Sequence, residues 1–228
     1  MDWTPAQLPS GRHGLSREFV VNSQRSRLLG AAVVIAGAEG YAGMTVSAVI
    51  ARAGVSRKTF YEFFQDREDI FLATFDQLLD RAVDGARDAY ENGGESWPER
   101  LRALLEAGLG ALAASPHEAR LGFVEVLAAG PRALQRRDAA LREFMQFLSP
   151  GYEAAGGDVP ELMPEAIVGA VYEIVYARVL QARTADLPEL LPQLMYVALA
   201  PFLGPQQARE LAGANVASAA SSGRRRSA

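Results

Sequence analysis

In the stretch AGVSRKTFYEFF, from Ala53 to Phe64, an arginine, a lysine, three hydroxyls and four aromatic rings fall within twelve residues. The chain carries 23 basic residues, and the single lysine among them is Lys58. Cationic and hydroxyl donors clustered in this way suit oxygen acceptors on a polyanion. Helical spacing separates the stretch into two faces. Phe60, Phe63 and Phe64 can share one inward side, whereas Arg57, Lys58 and Tyr61 lie on the other, with Thr59 between them. Ser56 is the expected N-cap, and Val55 before it can staple against Phe60 at the fourth helical position. A helix that offers donors from its first turn and one side, with rings anchoring its back, suits insertion into the major groove of DNA.

Three neighbouring elements must position that helix. TVSAVIARAG reads as a short helix opened by Thr45 and closed by Gly54, and two short helices crossing around a glycine turn form a helix-turn-helix. Upstream, SQRSRLLGAAVVIAGAEGY places Leu28, Leu29, Ala32, Val33, Ile35 and Ala36 on one broad face. Ser23 is its expected N-cap, and Gly40 stands where a left-handed C-cap belongs. Downstream, a long helix begins at an Asp66 cap, with acids in its first turn complementing the helix dipole. Its apolar stripe is Ile70, Leu72, Phe75, Leu78, Leu79, Ala82 and Val83.

ENGGESWP is the clearest break and is read as a hinge. Beyond it the pattern predicts helices over Pro98 to Ala114, Pro116 to Ala128, Pro131 to Leu148, Leu162 to Thr184 and Leu187 to Leu203, with prolines at or near several starts. No alternating strand pattern appears, so the fold class is all-α. After Gly213 the composition turns to Ala, Ser, Gly and Arg, and disorder is expected there.

The net charge of −4 conceals an asymmetry. Eight basic residues face five acidic ones up to Arg67, but 12 face 22 from Glu68 to Ala212. A basic front on an acidic body points the front at a polyanion. Before the first helix, LPSGRHGLSREF offers Arg12, His13 and Arg17, and basic arms of this kind can enter an adjacent minor groove. The terminal GRRR is read as a solvated tail. There is no cysteine, which suits a reducing cytoplasm. The longest uncharged run, Leu190 to Ala208, is interrupted by three prolines and reads as a buried helix followed by a loop, not a membrane span. Catalysis is disfavoured. The two histidines, His13 and His117, form no cluster with metal-ligand spacing, and GLGALAAS at Gly108 lacks the third glycine and the preceding strand of a nucleotide loop. Neither a metal nor a cofactor is expected.

Residues 25 to 70 resemble the DNA-binding domain of the tetracycline-repressor (TetR) family. The resemblance rests on RSRLLGAAVVIAGAEGY and on TVSAVIARAGVSRKTFYEFFQDREDI. The matching positions are Thr45, Val49, Ala53, Gly54, Val55, Ser56, Thr59, Phe60, Tyr61, Phe64, Arg67 and Glu68. Ala36 and Ile50 depart from the pattern, where a large aromatic and a small residue are usual. The resemblance implies that Thr45, Ser56 and Tyr61 donate to phosphates and that Arg67 supplies charge at the next helix. It further implies that Arg57 and Lys58, with Thr59 beside them, read base edges.

The rest of the chain matches in helix count and length. In the family, the last two long helices pair with their mates as a four-helix bundle, which here implicates Ile167, Ala170, Val171, Ile174, Val175, Leu191, Leu194, Met195 and Ala198. Intramolecular core is the competing reading for each. The family also encloses an effector cavity. Its expected lining is Leu105, Leu109, Leu121, Phe123, Val124, Leu127, Phe144, Met145, Leu148, Tyr152, Tyr172 and Tyr176, with plain core again competing. Residues 1–22 then form a flexible basic arm and 23–66 the DNA-binding domain. Residues 67–212 form a helical ligand-binding and dimerisation domain, followed by a tail at 213–228. The expected function is a cytoplasmic transcription regulator, a repressor, that binds a pseudo-palindromic double-stranded operator as a homodimer. A small apolar or amphipathic effector modulates it, and no membrane is involved. The alternative is a non-sensing architectural DNA-binding dimer with a filled C-terminal core.

Overall fold

The computed structural model describes residues 17–157 and 159–213, and every regular element among them is helical. In chain order these are α1 (Arg17–Gly43), α2 (Val46–Ala53), α3 (Arg57–Phe63), α4 (Arg67–Glu91), α5 (Trp97–Ala114), α6 (Pro116–Phe123), α7 (Pro131–Met145), α8 (Pro150–Ala155), α9 (Met163–Leu180), α10 (Leu191–Leu203) and α11 (Pro205–Ala212). Short 3-10 segments occupy Glu125–Leu127, Gln146–Leu148 and Thr184–Leu190. The chain divides into two compact units that do not follow sequence order. One comprises the described residues through Ala82, with Ala114–Ala140 and Tyr176–Thr184; the remainder forms the other. The 3.6-residue apolar period gave the helical class correctly.

In the first unit, α1 begins at Arg17, so Ser23 lies inside the helix and does not cap it. The buried stripe starts only at Leu28, but Glu18 in the first turn complements the dipole and nothing between them breaks a helix. The extra turns leave Phe19 and Val21 exposed. The helix breaks at Gly40, where the sequence places its end, but not with the left-handed cap expected there: φ 77° and ψ 172° lie in an extended region open essentially to glycine. Residues of α1 through α4 enclose Leu28, Ile35, Met44, Val49, Phe60, Phe71 and Phe75, and Leu121 and Val126 from the α6 region complete the same cluster. Gly37 permits the close contact of α1 with α6, because a Cβ there would stand 2.6 Å from the His117 Cα. Three ion pairs brace α4 between Glu68 and Arg81: Arg81 with Glu118 at 3.0 Å, Arg136 with Asp76 at 2.6 Å, and Arg132 with Glu68 at 3.6 Å.

The second unit is built around Leu101, Leu148, Ile167, Met195, Leu199 and Phe202. The Trp97 ring meets Phe202 edge-on at 5.4 Å, and its indole N–H donates to the Phe147 carbonyl at 2.9 Å. At the start of α5 the Ser96 N–H and hydroxyl both donate to Glu99 Oε2, at 2.9 and 2.8 Å. Those donors hold the Glu99 carboxyl below its usual range.

Several predicted boundaries move. The segment after α10 is not a loop: Gly204 turns the chain at φ 80° and Pro205 starts α11, a position where its missing N–H costs nothing. α8, also started by a proline, has no counterpart among the predicted helices. α9 stops at Leu180, short of the predicted Thr184, because Ala182 adopts φ 56° and the Arg183 N–H closes back on the Arg178 carbonyl at 2.8 Å. The segment preceding α10 is 3-10, with Pro188 inside it, so the α-helix begins at Leu191.

Candidate nucleic-acid interface

The two reading helices are defined by their caps. Thr45 Oγ1 accepts the Ala48 N–H at 3.1 Å to open α2, and Gly54 at φ 60° closes it with the left-handed turn that favours glycine. Ser56 Oγ accepts the Thr59 N–H at 3.0 Å to open α3. These hydroxyls use oxygen lone pairs for capping, which leaves the Thr45 hydrogen available to an outside acceptor. Ser56 Oγ and Thr59 Oγ1 lie 2.8 Å apart, so one donates to the other and the pair retains one hydrogen for the same purpose.

α3 has the two faces its spacing predicts. Phe60 is wholly buried and Phe64 nearly so, their rings 5.8 Å apart, whereas Ser56, Arg57, Lys58 and Tyr61 are exposed. Burial of Phe60 stabilises the seat of the helix by about 1.5–3 kcal/mol. Phe63 is only half buried, at the margin of that cluster, and Val55 packs against it from the other end of α3. Tyr61 rests its ring edge on Phe60 at 5.3 Å and remains 52 % exposed.

The two cations of α3 are not equivalent. Arg57 donates to Ser47 Oγ on α2 at 3.3 Å. Lys58 has no hydrogen-bond or ion-pair partner among the described residues. Arg67 stands with its guanidinium 4.3 Å over the Tyr41 ring, so its charge is already engaged inside the protein. α4 opens as predicted at Asp66, whose Oδ1 accepts the Asp69 N–H at 2.8 Å. The side chains of Arg12 and Arg17, and the terminal arginines, lie outside the described residues.

Two residues that position this surface escape the sequence pattern. Arg27 of α1 donates through Nη2 to the Ala53 carbonyl and, at 2.8 Å, to the Gly54 carbonyl, so it caps the C-terminus of α2. Glu125 accepts the Tyr41 N–H at 2.8 Å just after the Gly40 break. In sequence both look like ordinary surface charges, and no local pattern marks either one.

The remaining candidates separate by burial. Of the nine predicted dimer residues, Ile167, Val175, Leu194, Met195 and Ala198 are buried within a single chain and are core, whereas Ala170, Val171, Ile174 and Leu191 retain accessible surface. Helical period identified these helices as apolar but not which side the chain itself covers. Among the predicted lining residues, Leu121 is fully buried in the same cluster as Phe60, and Leu127 is exposed. Leu148 belongs to the core of the second unit, and the Tyr152 hydroxyl is committed to the Pro160 carbonyl at 3.0 Å. Leu109 is buried, and Leu105, Phe123, Val124, Phe144, Met145, Tyr172 and Tyr176 are half-buried. No group of three or more metal-ligating side chains occurs among the described residues, and no helix among them is long and apolar enough to cross a membrane.

Residues 28–74, which run from the middle of α1 into the first turns of α4, match the family model described as bacterial regulatory proteins, tetR family. The HTH-type transcriptional regulator EthR of Mycolicibacterium smegmatis is 24% identical over 148 residues, covering 64% of this chain and 68% of that protein. The HTH-type transcriptional activator FasR of the same organism is 29% identical over 99 residues, 43% of this chain and 45% of that one. Among solved structures, the fatty acid degradation regulator FadR from Bacillus halodurans superposes with a TM-score of 0.69 at 23% identity, over 80% of this chain and 96% of that one. FadR from Bacillus subtilis, solved in complex with stearoyl-CoA, gives a TM-score of 0.66 at 22% identity, over 78% and 97%. These structural likenesses establish the fold, and the curated relatives are regulators. Residues 28–74 thus match the tetR family of bacterial regulatory proteins, and the curated relatives and structural neighbours of the chain are transcriptional regulators.

Proposed function

We propose that the protein is a cytoplasmic repressor that holds a pseudo-palindromic operator as a homodimer and responds to a small apolar or amphipathic effector. The observation that carries the DNA-binding geometry is the exposed face of α3, where Arg57, Lys58 and Tyr61 stand over a fully buried Phe60. In this reading Lys58 and Arg57 contact base edges, with Thr59 beside them, while Thr45, Ser56 and Tyr61 donate to phosphates. Arg67 supplies charge at the start of α4 while stacked on Tyr41, and Arg12 and Arg17 are assigned to a basic arm for the adjacent minor groove. Two such helices must sit about 34–36 Å apart to read successive major grooves, which requires pairing of two chains. The accessible residues of α9 and α10, Ala170, Val171, Ile174 and Leu191, supply an apolar surface for it. Support for an amphipathic effector comes from the Bacillus subtilis FadR structure with its stearoyl-CoA, and Leu105, Phe144, Met145 and Tyr172 are the side chains assigned to receive it. The effector acts by linkage: it weakens DNA binding only by as much as it prefers the state that fits the operator less well.

Selection of bound duplexes from a random pool by the purified protein tests this directly. Enrichment of an inverted repeat, protected on both halves by a dimer, is the expected result; enrichment of a single unrepeated site by a monomer rejects the dimeric reading. Titration of the bound complex with stearoyl-CoA and with free stearate then tests the effector class. Release by neither rejects it.

A further inference from the structure

We infer that Glu125 is a positioning residue for the reading helices: its carboxylate is the link through which the segment after α6 fixes the turn leading into α2. Glu125 is the one charged residue in the buried set among the described residues, at 6 % exposure. Taking a carboxylate out of water costs several kcal/mol unless it is paired and hydrogen-bonded, and an apolar residue of similar size would pack there at less cost. Both oxygens of Glu125 are used. Oε1 pairs with Arg120 Nη2 at 3.0 Å, and Oε2 accepts the backbone N–H of Tyr41 at 2.8 Å, from 84 residues away in sequence.

That N–H is available because of Gly40. Where the backbone leaves the helix at φ 77°, the Tyr41 N–H points toward Glu125. A side chain at position 40 would crowd the same oxygen, since a Cβ there would stand 3.1 Å from Oε2. From Tyr41 the chain passes through the fully buried Met44 into the Thr45 cap of α2. The Tyr41 ring is held in turn by Phe71 of α4, edge-on at 5.1 Å, and by Arg67 above it at 4.3 Å. Glu125 therefore grips the one point at which α1 ends, α2 is about to begin and α4 is in contact. A few residues earlier, Gly37 lies against the backbone of His117, so the α6 segment meets the end of α1 at two places. A displacement of the segment carrying Glu125 is delivered to the reading helices through this carboxylate.

The chain has no cysteine, so two can be introduced for spin labels without background. Arg52→Cys on α2 and Gln135→Cys on α7 are exposed sites, and dilution with unlabelled protein isolates the distances within one chain. The expected result is one narrow distance distribution in the parent, a broadened or shifted one in Glu125→Ala, and recovery in Glu125→Gln, whose carbonyl still accepts the Tyr41 N–H. A folded Glu125→Ala protein with the parent distribution overturns the proposal. So does failure of Glu125→Gln to restore it, because the acceptor is then not the link. Should Glu125→Ala not fold, amide exchange of the unsubstituted protein decides: the Tyr41 amide must exchange at least ten-fold more slowly than an unprotected one, and exchange at the unprotected rate overturns the assignment.

Discussion

Replacing Arg27 with Ala is expected to destabilise the protein as well as weaken its hold on DNA. In sequence Arg27 has the look of a solvated surface charge, but its guanidinium donates to the carbonyls of Ala53 and Gly54, at the negative end of α2. Those carbonyls have no partner within their own helix. A net hydrogen bond from a charged donor contributes about 1.5–3 kcal/mol, and a cation at a helix C-terminus about 0.3–1 kcal/mol. Arg27 is only half-buried, so water takes over part of both terms on truncation, and the expected loss is about 2 kcal/mol. For a chain of this size that lowers the thermal midpoint by about 4–8 °C. Arg27→Lys should recover part of the loss, because one ammonium reaches a carbonyl but lacks the planar fork that spans two. The measurement is thermal unfolding followed by circular dichroism in the absence of DNA, beside affinity for the selected duplex. An Arg27→Ala protein with an unchanged midpoint and weakened DNA binding would refute the capping role and make the residue a phosphate contact instead.

Lys58→Ala should leave the midpoint within about 0.5 kcal/mol of the parent, as for an exposed residue without partners, and cost about 1–3 kcal/mol on the selected duplex if it reads a base edge; an equal loss on random DNA would make it a phosphate contact. Arg57→Ala differs in also removing the contact with Ser47, so a small stability loss should accompany its loss of affinity, visible in the same two assays. Ala182→Gly should stabilise the protein by about 1 kcal/mol in urea unfolding, because a left-handed alanine is strained where glycine is not; destabilisation would show that the φ of 56° is not maintained in solution. Glu99 has its pKa lowered by the two donors of Ser96, so its contribution to capping α5 is present at neutral pH and is lost as the pH falls through that lowered value. Glu99→Gln should accordingly reduce the acid sensitivity of α5, read by amide exchange from pH 7 downward, and an unchanged profile would exclude the cap as its source.

The reading helices were legible in sequence because each of their determinants is local. Thr45 and Ser56 cap within three residues, Gly54 supplies a conformation its neighbours cannot, and Phe60 and Phe64 share a face through helical geometry alone. The proline-started helices α8 and α11 are equally local, yet runs of six and eight residues carry too little period to stand out from the loops around them.

What sequence left open was everything that depends on which surfaces meet. The apolar period of α9 and α10 identifies both as helices with much to bury, but burial is a property of the partner surface. Only packing decides that Leu194, Met195 and Ala198 are covered by their own chain while Val171 and Ile174 keep accessible surface. Charge is subject to the same limit. An arginine written into α1 or a glutamate after α6 has the composition of a solvated surface residue. Arg27 becomes a cap because folding brings the end of α2 beneath it, and Glu125 becomes an anchor because folding brings it to the Tyr41 N–H. By itself, the sequence of this chain determined the two reading helices, their caps and the outward-facing cations of α3. The tertiary structure decided which charges hold those helices in place, since a hydrogen bond between distant residues is fixed by the packing that brings them together and not by anything written beside either one.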